Sequence, residues 1–119
     1  MPPVPPEQQP VTSRLDLLIS ARTNRDTFAT GQKDVTTAGT PEQLEDFPVP
    51  NGFSVTVIAR TGNDGYIYLG STKADCANNK RRFDGLSAGL AVSLRIKNLS
   101  KVWVNASVSG EGVSWIVER

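Results

Sequence analysis

Histidine is absent from the 119 residues of the chain, and cysteine occurs once, as Cys76. The commonest general base and the commonest metal ligand are therefore missing. Cys76 has neither a second cysteine for an intramolecular disulfide nor the histidine that activates a catalytic thiolate. Asp64, Asp75 and Asp84 fall in predicted loops, where aspartate commonly bonds the local backbone rather than serving hydrolysis or calcium binding. We therefore expect no enzyme activity, no metal and no cofactor.

The chain also lacks long apolar runs and a strong excess of charge. No segment approaches the ~18 apolar residues of a membrane span. The N-terminus has neither the basic region nor the apolar stretch of a signal peptide. The net charge of +1 does not favour a polyanionic partner. We expect a single domain with no membrane and no nucleic-acid partner, kept in a reducing compartment or released by lysis.

Proline is concentrated at the N-terminus, where five of the eight prolines fall within the first ten residues. Because proline fixes φ and has no amide donor, residues 1–12 should form an extended arm outside any sheet. This arm is either a disordered leader or a docking element for a neighbouring subunit. In the docking interpretation the candidate interface residues are Pro2, Pro3, Val4, Pro5 and Pro6.

The remainder of the chain, residues 13–119, carries the signals of short strands. Apolar residues alternate with polar ones, or β-branched residues cluster, between turns rich in glycine and asparagine. The sequence predicts an all-β fold, an antiparallel β-sandwich of jelly-roll type. It shows no convincing helix, although residues 40–44 have the residues for one helical turn, and Asp64-Gly65 indicates a tight hairpin. The predicted strands are 15–20, 34–38, 53–59, 66–70, 90–96, 102–106 and 113–118.

The alternation also predicts which side chains face the core. In the strand at 90–96, the inward residues are Leu90, Val92, Leu94 and Ile96. In the last strand, Trp115 is predicted to lie in the core. The same rule applied to residues 66–70 and 102–106 turns three aromatic residues outward.

These outward aromatics are Tyr66, Tyr68 and Trp103. Aromatic residues on an outer sheet face are typical of protein interfaces and of surfaces that stack on sugar rings. A one-residue slip in the strand register would instead place one of them in the core. We favour the interface interpretation.

A basic cluster follows the strand at 66–70. Lys80, Arg81 and Arg82 are consecutive in a loop that is predicted over residues 74–85. Lys73 directly precedes this loop. The cluster indicates a solvated loop or a contact with an acidic neighbour rather than a phosphate site. Residues 1–50 carry four basic and seven acidic groups, whereas residues 51–119 carry nine and five. This opposite balance suits packing of one half of a copy against the other half of a neighbour.

Several turn and core motifs extend over residues 33–118. They are Thr37-Ala38-Gly39-Thr40 with Leu44, Pro50-Asn51-Gly52, Gly65-Tyr66-Ile67-Tyr68-Leu69-Gly70, Leu86-Ser87-Ala88-Gly89, a Val-Trp-Val strand and a last strand ending at Glu118. In these motifs the chain resembles small β-sandwich accessory proteins of tailed-bacteriophage virions. It departs from them in a longer, more basic loop at residues 74–85 and in the Pro-rich leader.

The resemblance implies a non-enzymatic structural component of a phage virion, either a head decoration protein or a spike-base protein. We expect a homo-oligomer, with a trimer favoured, that contacts other virion proteins such as the major capsid protein. The protein would be made in the host cytoplasm and reside in the virion. The alternative is a carbohydrate-binding β-sandwich for attachment to a host surface.

Overall fold

The computed structural model describes residues 27–118, in which eight strands form two four-stranded antiparallel sheets. The all-β, sandwich-like antiparallel fold predicted from the sequence is confirmed. The strands are β1 (Phe28–Asp34), β2 (Glu42–Gln43), β3 (Val55–Ala59), β4 (Ile67–Gly70), β5 (Phe83–Leu86), β6 (Ala91–Leu94), β7 (Trp103–Ala106) and β8 (Gly112–Glu118). The sheets are accompanied by one short helix, α1 (Lys73–Ala77), and a 3-10 turn (Leu99–Lys101).

Two predictions concern residues outside the described part of the chain. One is the Pro-rich arm of residues 1–12 with its five candidate interface residues, and the other is the strand at residues 15–20.

The strands pair in a nested order. Sheet A has the order β1-β8-β3-β6, and sheet B has the order β2-β7-β4-β5. The first strand therefore pairs with the eighth, the second with the seventh, the third with the sixth and the fourth with the fifth. Only the connection from β4 to β5 stays within one sheet, while each of the other connections crosses between the sheets.

The core lies between the sheets and is built from one face of each strand. In β3 and β8 every second residue is buried, as the period of two in a strand requires. Trp115 on β8 is buried, as predicted, and its ring lies 5.5 Å from that of Phe47. Across the ladder, a side chain on Gly31 would overlap the Trp115 indole. The largest aromatic residue of the core is thus accommodated by the absence of a side chain on the neighbouring strand.

The first described strand differs from the prediction. Residues 34–38 were expected to form a strand because of their β-branched side chains, but β1 ends at Asp34 and only Val35 is buried. β1 instead begins at Phe28, between the strands predicted at residues 15–20 and 34–38. Its pairing with β8 through seven successive residues stabilises it, so that tertiary pairing overrides local propensity.

Three local predictions are wrong for related reasons. Residues 40–44 form no helical turn, because Glu42 and Gln43 pair with β7. The loop predicted over residues 74–85 contains part of α1 and most of β5. Asp64-Gly65 is not a hairpin turn, since β3 and β4 belong to different sheets and neither residue has positive φ. The backbone amides of Asp64 and Gly65 instead donate to the Glu111 carboxylate.

The strand predicted at residues 90–96 is shorter and less buried than expected. Leu90 precedes β6 and is 51% exposed, so its inward assignment is wrong. Val92, Leu94 and Ile96 do pack against the core but are only partly buried. The reason is that β6 is an outer strand of sheet A within the described residues, so no strand covers its second side.

Two isoleucines test the assignment of faces. We expect Ile67→Ala to lower the free energy of unfolding by about 2–5 kcal/mol, since Ile67 is fully buried in β4. Ile116→Ala, at a position on β8 that is 41% exposed, should cost about 1 kcal/mol or less. Urea denaturation of both variants measures the difference, and equal losses would contradict the strand faces described here.

Candidate functional site

The outer face of sheet B carries the three predicted interface aromatics. β4 buries Ile67 and Leu69 in the core and directs Tyr68 to the outer face, while Tyr66 just before it is 53% exposed. Trp103 on β7 is half-buried opposite Gly70 of β4. The predicted facing of the residues on β4 and β7 is therefore correct, although the three aromatics differ in exposure.

Arg82 stacks on one of these aromatic residues. Its guanidinium carbon lies 3.6 Å from the centroid of the Tyr68 ring. A cation in this position is attracted by the electron-rich ring face. The Arg82 Nε atom is buried with no hydrogen-bond partner among the described residues. The stacked guanidinium therefore lies beside the tyrosine with donor capacity unused.

The neighbouring cations are more exposed. Lys80 and Arg81 lie in the turn after α1, where Asn78 accepts hydrogen bonds from the backbone amides of residues 80–82. The ion pairs formed among residues 27–118 are Lys33–Glu42 and Asp34–Arg60. Within that part of the chain, Lys80, Arg81 and Arg82 therefore have no carboxylate partner.

Phe83 is a further exposed aromatic residue that directly follows the basic turn. It begins β5, pairs with Leu69 at the outer edge of sheet B and is 53% exposed. Because directly opposed residues of a ladder point to the same face, Phe83 lies on the side of the core-facing Leu69 and not on the side of Tyr68. We define the aromatic–basic patch as Tyr66, Tyr68, Lys80, Arg81 and Arg82.

An open depression adjoins the patch. Tyr66, Tyr68, Asp84 and Gly85 line it, so that two aromatic rings and one carboxylate face the same space. Trp103 does not line this depression, so it does not share this space with the two tyrosines. Lys73 is exposed on α1.

Helix α1 packs on sheet B and thereby positions the basic turn, residues 80–82, that follows it. Thr72 caps the helix by accepting a hydrogen bond from the Asp75 amide at 3.1 Å. The helix then packs on Gly70, where an added Cβ would lie 2.6 Å from the Cys76 backbone nitrogen. The only residue that leaves room for this close approach is glycine.

Cys76 is the buried residue of α1. Its thiol donates to the carbonyl oxygens of Trp103 at 3.3 Å and Tyr68 at 3.6 Å. Burial raises the pKa of Cys76 to about 11, against a smaller opposing effect of the Arg82 charge. The thiol is therefore protonated near neutral pH, and a protonated thiol is a poor nucleophile.

Asn105 is a buried polar residue that sequence reasoning missed. Its side-chain oxygen accepts from the amides of Gly39 and Ala106 at 3.0 and 2.8 Å, and its side-chain nitrogen donates to the Cys76 carbonyl at 3.4 Å. These bonds join the loop after β1, strand β7 and helix α1. Asn105 therefore stabilises the packing of these three segments, which support the patch.

Residues 27–118 contain neither a metal-binding cluster nor a membrane-spanning helix. No group of three or more histidine, cysteine or carboxylate side chains converges there to hold a metal ion. None of the helices in the same range has the length and apolar character needed to cross a membrane. Comparisons of the chain with protein-family models, with curated proteins and with solved structures give no match.

The packing of α1 can be tested through its thiol. Gly70→Ala should displace α1 from sheet B, because the new methyl group would overlap Cys76. We expect the rate of Cys76 labelling by a thiol reagent at pH 8 to rise at least about tenfold, as the thiol becomes exposed and its pKa falls. Gly62→Ala is the matched control, since nothing lies within 4 Å of a Cβ there. Equal labelling of the two variants would contradict the packing described.

Proposed function

We propose that the chain is a non-enzymatic structural component of a bacteriophage virion, a head decoration or spike-base protein that acts through protein–protein contacts. The observation that carries this proposal is the aromatic–basic patch. Tyrosine and arginine are the residues that dominate binding energy at protein interfaces, and here they lie together on a sheet face. The resemblance of residues 33–118 to phage accessory proteins supports the same function.

For the fold we propose the jelly roll. Eight strands in two sheets, with the first strand paired to the eighth and each later pair nested inside, are what a rolled-up antiparallel hairpin produces. Jelly rolls are common in viral capsid and lectin domains. This observation supports both a virion role and, as a second candidate, sugar binding.

The chemistry of the patch suggests an acidic partner surface. Lys80, Arg81 and Arg82 have no carboxylate partner within the described residues. An acidic surface on a neighbouring virion protein, such as the major capsid protein, would supply the missing acceptors. In this proposal the chain is also a homo-oligomer, most readily a trimer, and the Pro-rich arm with Pro2, Pro3, Val4, Pro5 and Pro6 is a second docking element.

A charge reversal in the patch tests this proposal. Arg81→Glu should lower incorporation of the protein into phage particles by about tenfold, because it places like charge against an acidic partner and a tenfold change corresponds to about 1.4 kcal/mol. Quantitative mass spectrometry of purified particles gives the incorporated amount. Lys101→Glu is the matched control, since Lys101 is also an exposed cation but belongs to the 3-10 turn and not to the patch. Full occupancy with Arg81→Glu, or no copies of the native chain in particles, would contradict the proposal.

Carbohydrate binding is the second candidate, and the depression beside Tyr66 favours it. An exposed aromatic ring next to the Asp84 carboxylate offers a stacking surface and a hydrogen-bond acceptor for sugar hydroxyls. Trp103 does not line the depression, so Tyr66 is the residue at which sugar stacking can be tested.

A glycan array with the purified protein tests this second function. If the chain binds a sugar at the depression, Tyr66→Ala should abolish the signal, whereas Phe83→Ala, at an equally exposed aromatic outside the depression, should retain it. A native protein that binds no glycan, or a Tyr66→Ala variant that binds like the native protein, would count against sugar binding.

A further inference from the structure

The outer strands of sheet A have no partner on their second side within the described residues. β1 pairs only with β8, and β6 pairs only with β3. β1 has seven residues in continuous register, with charges only at its end in Lys33 and Asp34, and β6 (Ala-Val-Ser-Leu) has no charge; neither contains a proline. Proteins normally protect such edges with prolines, bulges, charges or a covering element. The edges of sheet B meet this rule better, since β2 has two residues and β5 has an irregular register.

The backbone polar groups at these edges can be assigned from the ladders. The Val35 amide donates to the Glu111 carbonyl, so in β1 the odd-numbered residues bond to β8. The even-numbered residues, from Phe28 to Asp34, direct their amide and carbonyl groups to the open side. At the other edge, the Ala59 amide donates to Leu90. The residues of β6 that direct their backbone groups outward from the sheet edge are therefore Ala91 and Ser93.

The two edges are complementary in side-chain size. On the core-facing side β1 has Ala29 and Gly31, followed by Lys33, whose ammonium group pairs with Glu42, whereas β6 has Val92 and Leu94, which are only partly buried. On the other face β1 carries Phe28, Thr30, Gln32 and Asp34, and β6 carries the small residues Ala91 and Ser93. An edge with small core-facing residues and an edge with large, incompletely covered ones fit each other better than either fits itself.

We propose that β1 of one copy pairs antiparallel with β6 of the next copy, so that sheet A continues from subunit to subunit. Antiparallel pairing follows because β1 and β6 run in opposite directions within one sheet. The register that matches both the open backbone groups and the faces sets Thr30 opposite Ser93 of the next copy. It then sets Gly31 opposite Val92 and Ala29 opposite Leu94.

Charge and symmetry agree with this register. Lys33 would lie opposite Leu90 of the next copy and Arg95 opposite Phe28, so no like charges face each other. A two-fold pairing of β1 with itself would instead leave Ala29 and Gly31 with no large apolar side chain opposite them on the core side. Head-to-tail contacts between unlike edges form closed rings when the rotation closes. This inference rests on the homo-oligomer part of the proposed function and specifies its interface.

Disulfide trapping of the purified full chain tests the pairing. Opposed residues of an antiparallel pair have Cα atoms within the range that a disulfide spans. The double variant Thr30→Cys/Ser93→Cys should give, on mild oxidation, a ladder of covalent oligomers that ends at a trimer. Each single variant should remain without a covalent dimer, because Thr30 and Ser93 meet only each other. Native Cys76 is buried and stays in all variants.

Matched controls make the outcome decisive. Thr30→Cys/Asp84→Cys places the second thiol on the exposed strand β5 of sheet B and should give no ladder. Covalent dimers of either single variant would show a two-fold pairing and overturn the inference. Oligomers in light scattering without a Thr30–Ser93 ladder would overturn the edge pairing but leave the proposed oligomer in place, whereas a monomer at tens of micromolar would overturn both.

Discussion

The seven-residue ladder between β1 and β8 is the interaction on which the rest of the structure depends. β8 lies between β1 and β3 and pairs with both, so it holds three strands of sheet A in one surface. It also supplies Val113, Trp115 and Val117 to the core. Without β8, β1 would have no partner among the described residues, and the core would lose these three side chains.

The position of the candidate site depends on a second constraint, the close packing of α1 on sheet B. Gly70 allows the helix backbone to approach the sheet, and the Cys76 thiol and the Asn105 side chain satisfy carbonyl groups there. A helix of five residues has little stability by itself. The sheet therefore fixes the helix, and the helix fixes the turn that places Arg82 over Tyr68.

The sequence predicts strands well where large apolar residues alternate with polar ones. This pattern identifies β3, β4, β7 and β8 and correctly buries Ile67 and Trp115. It misses β1, whose core-facing residues are Ala29, Gly31 and Lys33, because such side chains carry no apolar alternation. α1 is missed as well, since its stability comes from contacts with strands that are distant in sequence.

The candidate site is predictable only where it depends on the alternation of apolar and polar residues or on composition. Alternation in β4 and β7 indicates which aromatics face outward, and the basic run is visible directly. The stacking of Arg82 on Tyr68 and the exposed Phe83 result from the course of the chain between β4 and β5, which no local pattern contains.

The nested pairing of the strands also determines the order in which they can pair during synthesis on the ribosome. Since β1 emerges first and its partner β8 last, sheet A cannot close until nearly all of the described chain has left the exit tunnel, and β4 with β5 is the pair that can form earliest.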